Sequence, residues 1–102
     1  MDQKTAFQIV KKYIKFLKEN KYDIQKAYIF GSFATGKFNE DSDIDLAIIF
    51  KNLENGFTTQ VDLMKLRRKF DTRIEPHPFD EVDFTISNPF AKEILRTVIQ
   101  VL

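Results

Sequence analysis

Hydrophobic residues recur along this chain with two different periods. Over residues 5 to 19, Phe7, Ile9, Val10, Ile14, Phe16 and Leu17 return at helical spacing, with Lys11, Lys12, Lys15 and Lys18 between them. The pattern predicts an amphipathic helix, with Asp2 or Thr5 as its cap. "KAYIF", residues 26 to 30, predicts a short buried strand that stops at Gly31. "DIDLAIIF", residues 43 to 50, is the strongest strand pattern in the chain. It sends Ile44, Leu46, Ile48 and Phe50 to one face and Asp43, Asp45, Ala47 and Ile49 to the other. A run that is mostly apolar on both sides predicts a central strand. Residues 58 to 70 predict a second helix with Val61, Met64, Leu66 and Phe70 turned inward. "TRIE", residues 72 to 75, predicts a third strand cut off by Pro76 and Pro78. "VDFTIS", residues 82 to 87, reads as a short strand or a loop. "NPFAKEILRTVIQVL" then predicts a terminal helix, with Asn88 as cap and Pro89 at the first helical position. The order α-β-β-α-β-α predicts one domain, residues 1–102, of the α/β (α+β) class: a small mixed β-sheet with helices packed on one side.

Composition narrows the function classes. The net charge of +1 provides no global basic field, which disfavours a long nucleic-acid partner and leaves room for a small phosphate ligand. There is no cysteine, so neither a disulfide framework nor a thiolate zinc site can form. No apolar run reaches membrane-spanning length, and the N-terminus has no signal-peptide core; the expectation is a soluble, cytoplasmic protein without a membrane role. Eleven phenylalanines are expected to fill much of the core.

The candidate chemistry lies in "GSFATGKFNEDSDIDLAII". Asp43 and Asp45, two apart on a strand, project from one face with Cα atoms about 6.5–7 Å apart. Carboxylates that close repel unless a raised pKa, a Lys or Arg partner, or a bound cation relieves them. Oxygen-only donors suit Mg²⁺ or Mn²⁺, and Mg²⁺ commonly joins one or two carboxylates to substrate phosphates. Gly31 lets a ligand approach the backbone, and Ser32 opens a short helical turn whose hydroxyl and N–H groups suit an anion. Lys37 follows within reach of a terminal phosphate. Ser42 either caps the turn before Asp43 or touches the nucleotide. His77, between two prolines, reads as a turn or surface residue, although it stands just after Glu75. The Arg67-Arg68-Lys69 run reads as a solvated helix face.

Gly31-Ser32, ten intervening residues and Asp43-Ile44-Asp45 resemble the signature of the nucleotidyltransferase superfamily that includes DNA polymerase beta, and most of all the minimal nucleotidyltransferases (MNT). The resemblance implies a nucleotidyltransferase fold and a divalent metal site held by three carboxylates. Asp43 and Asp45 map onto the first two. Glu75 is the choice for the third, Asp71 the fallback, and Asp83 a weaker candidate. The resemblance also implies ATP as substrate, Gly31, Ser32, Lys37 and Ser42 as nucleotide contacts, and Glu75 as general base. The implied function is metal-dependent transfer of a nucleoside monophosphate, AMP from ATP, to a hydroxyl of a partner protein. In that family the partner is a helical HEPN toxin and the transferase is its antitoxin. Two alternatives stay open: a non-catalytic antitoxin acting by occlusion, and a small-molecule nucleotidyltransferase. Thr35 stands where many relatives carry Arg, a departure that Lys37 can offset.

Overall fold

The computed structural model describes residues 1–85 and 87–102. Its elements, in chain order, are α1 (Gln3–Glu19), β1 (Ile24–Phe30), α2 (Ser32–Thr35), β2 (Ile44–Phe50), α3 (Gly56–Leu66), β3 (Ile74–Asp80), α4 (Pro89–Leu95) and β4 (Ile99–Gln100). A single 3₁₀ turn, Arg67–Lys69, prolongs α3. The four strands form one sheet in the order β3-β2-β1-β4. β1 runs antiparallel to both β2 and β4, while β2 and β3 are parallel. A parallel pair needs a crossover, and α3 supplies it.

The α1 cap is Asp2, whose carboxylate accepts the Thr5 N–H at 2.7 Å. The helix buries Ala6, Val10, Tyr13, Ile14 and Leu17. Tyr13 lay outside the expected apolar stripe. Its hydroxyl donates to the Leu63 carbonyl at 2.7 Å, which ties α1 to α3 and satisfies a polar group in the core. Burial pushes the Tyr13 phenol well above its ordinary range. In α3, Leu63 is the fully buried residue, and Val61, Met64 and Leu66 are half-buried around it.

Two expectations are corrected. The third strand does not stop at Pro76; it runs on to Asp80. In a parallel ladder both polar groups of a residue point to the same side, and the side alternates along the chain. The Arg73 carbonyl and the Glu81 N–H bond to β2, so the odd-numbered residues face the ladder. The even-numbered residues face the free edge, where Ile74 and Pro76 present their carbonyls to the side chains of Arg67 and Gln60. Pro76 and Pro78 therefore cost no ladder bond on this edge strand. The terminal helix is also shorter than expected and ends at Leu95. Ile99 and Gln100 pair instead with Ile29 and Tyr28 of β1. Thr97, Val98, Ile99 and Val101 are β-branched and disfavour helix, and the open edge of β1 offers their backbone ready partners. Of the segment read as strand or loop, residues 82, 83 and 87 lie in turns and residue 85 in a bend, none of 82–85 or 87 is in a strand, and Ile86 lies outside the described residues.

The two faces of the sheet differ. Ala27, Ile29, Ile44, Leu46, Ile48, Phe50 and Ile74 pack against α1 and Leu63 to form the main core. Each fully buried aliphatic side chain here contributes roughly 1.5–3 kcal/mol. The opposite face carries a smaller cluster, in which Tyr28, Ala47 and Ile49 meet Ile94 of α4, with Phe30, Phe79 and Phe84 around them.

Candidate active site

The second face also carries the polar candidates. Period-two alternation puts Asp45, next to core residues Ile44 and Leu46, on the side away from α1. The parallel register sets Glu75 directly opposite Asp45 and His77 opposite Ala47. The antiparallel register sets Phe30 opposite Asp45 on the other side. Asp43 stands just before β2, with its carboxyl beside that of Glu75. Glu75 is held above the ordinary carboxylate range, first by burial, then by the Asp43 hydrogen bond and the charges of Asp43 and Asp45, with His77 acting against them. Among the described residues, no Lys or Arg forms an ion pair with any of these three carboxylates.

His77 is not a turn residue. It is a half-buried member of β3, with Nε2 3.8 Å from Asp45 Oδ1 and its ring 5.5 Å from that of Phe30. The reading of Pro76 as a strand end hid it, because only a continuous strand puts residues 75 and 77 on one face.

The Gly-Ser turn abuts the same group. Gly31 has φ +73° and caps α2, which Gly36 (φ +80°) closes in the left-handed region. A Cβ at Gly31 would collide with the Asp45 carboxylate, whose Cγ would lie 3.3 Å away. The position needs glycine twice, for its backbone and for its space. Phe33 anchors the turn from below: it is buried and stacks on Phe38 at 4.4 Å. The Phe33 carbonyl accepts Gln3 Nε2 at 2.6 Å. Ser32 opens α2 beside the carboxylates, and Lys37 lies exposed in the loop beyond. Ser42 closes its own turn, its Oγ accepting the Asn39 N–H at 2.9 Å.

The alternative carboxylates lie elsewhere. Asp71 is committed to Arg73, with contacts of 3.0 and 2.8 Å to Nε and a terminal guanidinium nitrogen, and these hold its carboxyl below the usual range. Asp83 is exposed in the turn after β3. A hollow of about 860 Å³ runs between the lysine face of α1 and Val101–Leu102 and shares no residue with the carboxylates.

Among the described residues, no three or more His, Asp and Glu side chains stand close enough to make a ready metal cage. They meet in pairs instead, Glu75 with Asp43 and Asp45 with His77. The donor set nonetheless fits a hard divalent cation: its three carboxylates are all oxygen donors crowded with like charge, and burial together with the Asp43 and Asp45 charges raises the Glu75 carboxyl above its ordinary range.

The polymerase beta nucleotidyltransferase model matches residues 11–101, which take in the turn, all three carboxylates and all four strands. The chain belongs to the polymerase beta nucleotidyltransferase family. No protein of curated function matches it in sequence. Its fold is similar to that of a candidate nucleotidyltransferase from Sulfolobus solfataricus, at 23% identity and TM-score 0.66, over 96% of this chain and 80% of that one. It is also similar to a chain of a toxin–antitoxin complex with AMP-PNP (20% identity, TM-score 0.65, 100% and 73% covered). A third similar chain comes from the Shewanella oneidensis complex of a tri-AMPylated HEPN toxin with its MNT antitoxin (21% identity, TM-score 0.61, 98% and 71% covered). No described helix is long and apolar enough to cross a membrane.

Proposed function

We propose that this chain is a metal-dependent nucleotidyltransferase that transfers AMP from ATP to a hydroxyl of a protein partner, as the antitoxin of a HEPN/MNT pair. The observation that carries the reading is the meeting of Asp45, Glu75 and Gly31 at one point of the sheet. Asp43, Asp45 and Glu75 would hold Mg²⁺ or Mn²⁺. When bound, the metal would stabilise the negative charge that builds on the phosphates. The turn at Gly31 and Ser32, with Lys37 beyond it, would receive the triphosphate. The acceptor oxygen attacks the α-phosphorus, a new P–O bond forms, and the bond to the bridging oxygen of pyrophosphate breaks. Glu75, once ionised, takes the acceptor proton. His77 steadies the Asp45 carboxylate from the side. Most of the rate would come from positioning and charge stabilisation.

One further fact supports this reading. Fold neighbours include an MNT antitoxin complex whose toxin is AMPylated and a toxin–antitoxin complex with AMP-PNP. The test is a pull-down of the tagged protein, incubation with ATP and Mg²⁺, and intact-mass analysis, with Asp43→Asn in parallel. A helical partner that gains AMP only with the wild-type protein is the expected result. A partner that binds both forms and gains nothing means inhibition by occlusion.

A further inference from the structure

A second hollow opens on the Gly31 side of the carboxylates. It measures about 330 Å³ and lies between the end of β1 and α4. Phe30 and Gly31 line one side; Phe90, Glu93, Arg96 and Thr97 line the other. Its size falls at the lower end of the ~300–1,000 Å³ typical of small-molecule sites.

Two features give it chemical character. The first is aromatic. Phe30 is opposite Asp45 in the ladder and also packs on His77, so it separates the hollow from the acidic cluster by one residue. Phe90 is 54% exposed, an unusual state for so large a ring. It is not loose, because Phe79 backs it at 5.7 Å and Phe84 backs Phe79 at 5.0 Å. The second is polar. Arg96 and Glu93 pair at 3.1 Å on the rim, and Thr97 follows them. One carboxylate, one guanidinium and one hydroxyl can accept from and donate to the edge of a heteroaromatic ring.

We infer that this hollow between Phe30 and Phe90 receives the nucleobase of the triphosphate whose phosphates sit at Gly31, Ser32 and the carboxylates. The inference rests on the nucleotidyltransferase reading and adds to it a base-binding site. Gly31 lines the hollow and also abuts Asp45, so the turn and the hollow adjoin. Phe90 supplies the stacking surface, and the Glu93–Arg96 pair with Thr97 faces the base edge.

The experiment is calorimetric titration of the full chain, in Mg²⁺ buffer, with ATP and separately with inorganic tripolyphosphate, which has no base. Five forms are compared: wild type, Phe90→Ala, Phe90→Tyr, Thr97→Trp and Asp43→Asn. ATP should bind the wild type more tightly than tripolyphosphate. Phe90→Ala should weaken ATP about tenfold, the worth of one base–aromatic stack, and leave tripolyphosphate unchanged. Thr97→Trp, which fills the hollow without removing its wall, should do the same. Phe90→Tyr, which keeps the ring, should restore ATP binding. Asp43→Asn should weaken both ligands. If ATP and tripolyphosphate bind the wild type equally, or Phe90→Ala weakens both alike, the base site is overturned while the catalytic reading stands. If neither ligand binds the wild type, both fall together.

Discussion

The two faces of the central sheet are built from the same strands and do opposite work. On β2, Ile44, Leu46, Ile48 and Phe50 enter a core closed by α1 and Leu63, while Asp45 stands between two of them on the other face. On β3, Ile74 and Pro76 are buried on the core side, while Glu75 and His77 face Asp45. The first face gains stability from every residue it hides. The second sets Glu75 beside Asp43 and Asp45, and burial together with their charges holds the Glu75 carboxyl above its ordinary range. Stability and chemistry are thus separated by one residue of register, and a strand with a firmly buried face can hold crowded charge on its back.

The comparison is sharpest at neighbouring residues. Asp45→Asn should lower AMP transfer about 10³-fold or more, since metal-borne charge stabilisation is worth several kcal/mol. Its melting temperature without divalent ions should stay level or rise, because a repelling charge has gone. A large fall in melting temperature would show that the acidic face is structural after all. One residue along, Leu46→Ala should behave in reverse. It empties a fully buried site and should cost about 2–5 kcal/mol in urea unfolding. The fraction still folded should transfer AMP at close to the wild-type rate.

Gly31 joins the two faces, and its replacement should mix their effects. Gly31→Ala forces a side chain into a positive-φ position, at about 1–2 kcal/mol, and pushes on the Asp45 carboxylate. Both stability and activity should drop, and Asp45→Ala in the same chain should recover only the part of the stability lost to the collision, and none of the activity. A Gly31→Ala protein with full activity would contradict the contact with Asp45.

The smallest effect is in pH. Glu75 is held above its ordinary range when folded, so the native state binds its proton more tightly than the unfolded chain does. Stability without metal is then greatest below the ordinary carboxylate range and falls as pH rises through the elevated value. Asp71 has the opposite sign. Its lowered pKa contributes stability above the ordinary value, and this is lost as pH falls through the depressed one. Thermal melts from pH 4 to pH 7 should therefore show a downward slope that Glu75→Gln reduces. Mg²⁺ should stabilise most at the high-pH end, where Glu75 is ionised. A wild-type slope unchanged by Glu75→Gln would remove Glu75 from the crowded set.

Much of this was legible in the chain. Gly31-Ser32 and Asp43-Ile44-Asp45 mark a turn and a strand through local chemistry: positive φ at glycine, and alternation of charged and apolar residues. The α1 stripe and the Asn88-Pro89 helix start are local in the same sense. His77 was misread because a proline signals the end of a strand only when its N–H would face a neighbour, and nothing local says which side of Pro76 is the edge. The C-terminal residues were misread because helix and strand patterns are hard to separate in a short apolar run, and the open edge of β1 resolved the choice.

The sequence by itself determined which residues could carry charge and metal chemistry, and on which face of its own strand each would fall, because side-chain direction follows from backbone period alone. Only the tertiary structure decided which of the later carboxylates joins Asp43 and Asp45. Glu75 meets them because the β2–β3 register sets it opposite Asp45, while Asp71 is taken up by Arg73 before the strand begins. Strand register is a property of two segments packed together, and so is the hollow between Phe30 and Phe90, whose walls lie 60 residues apart in the chain.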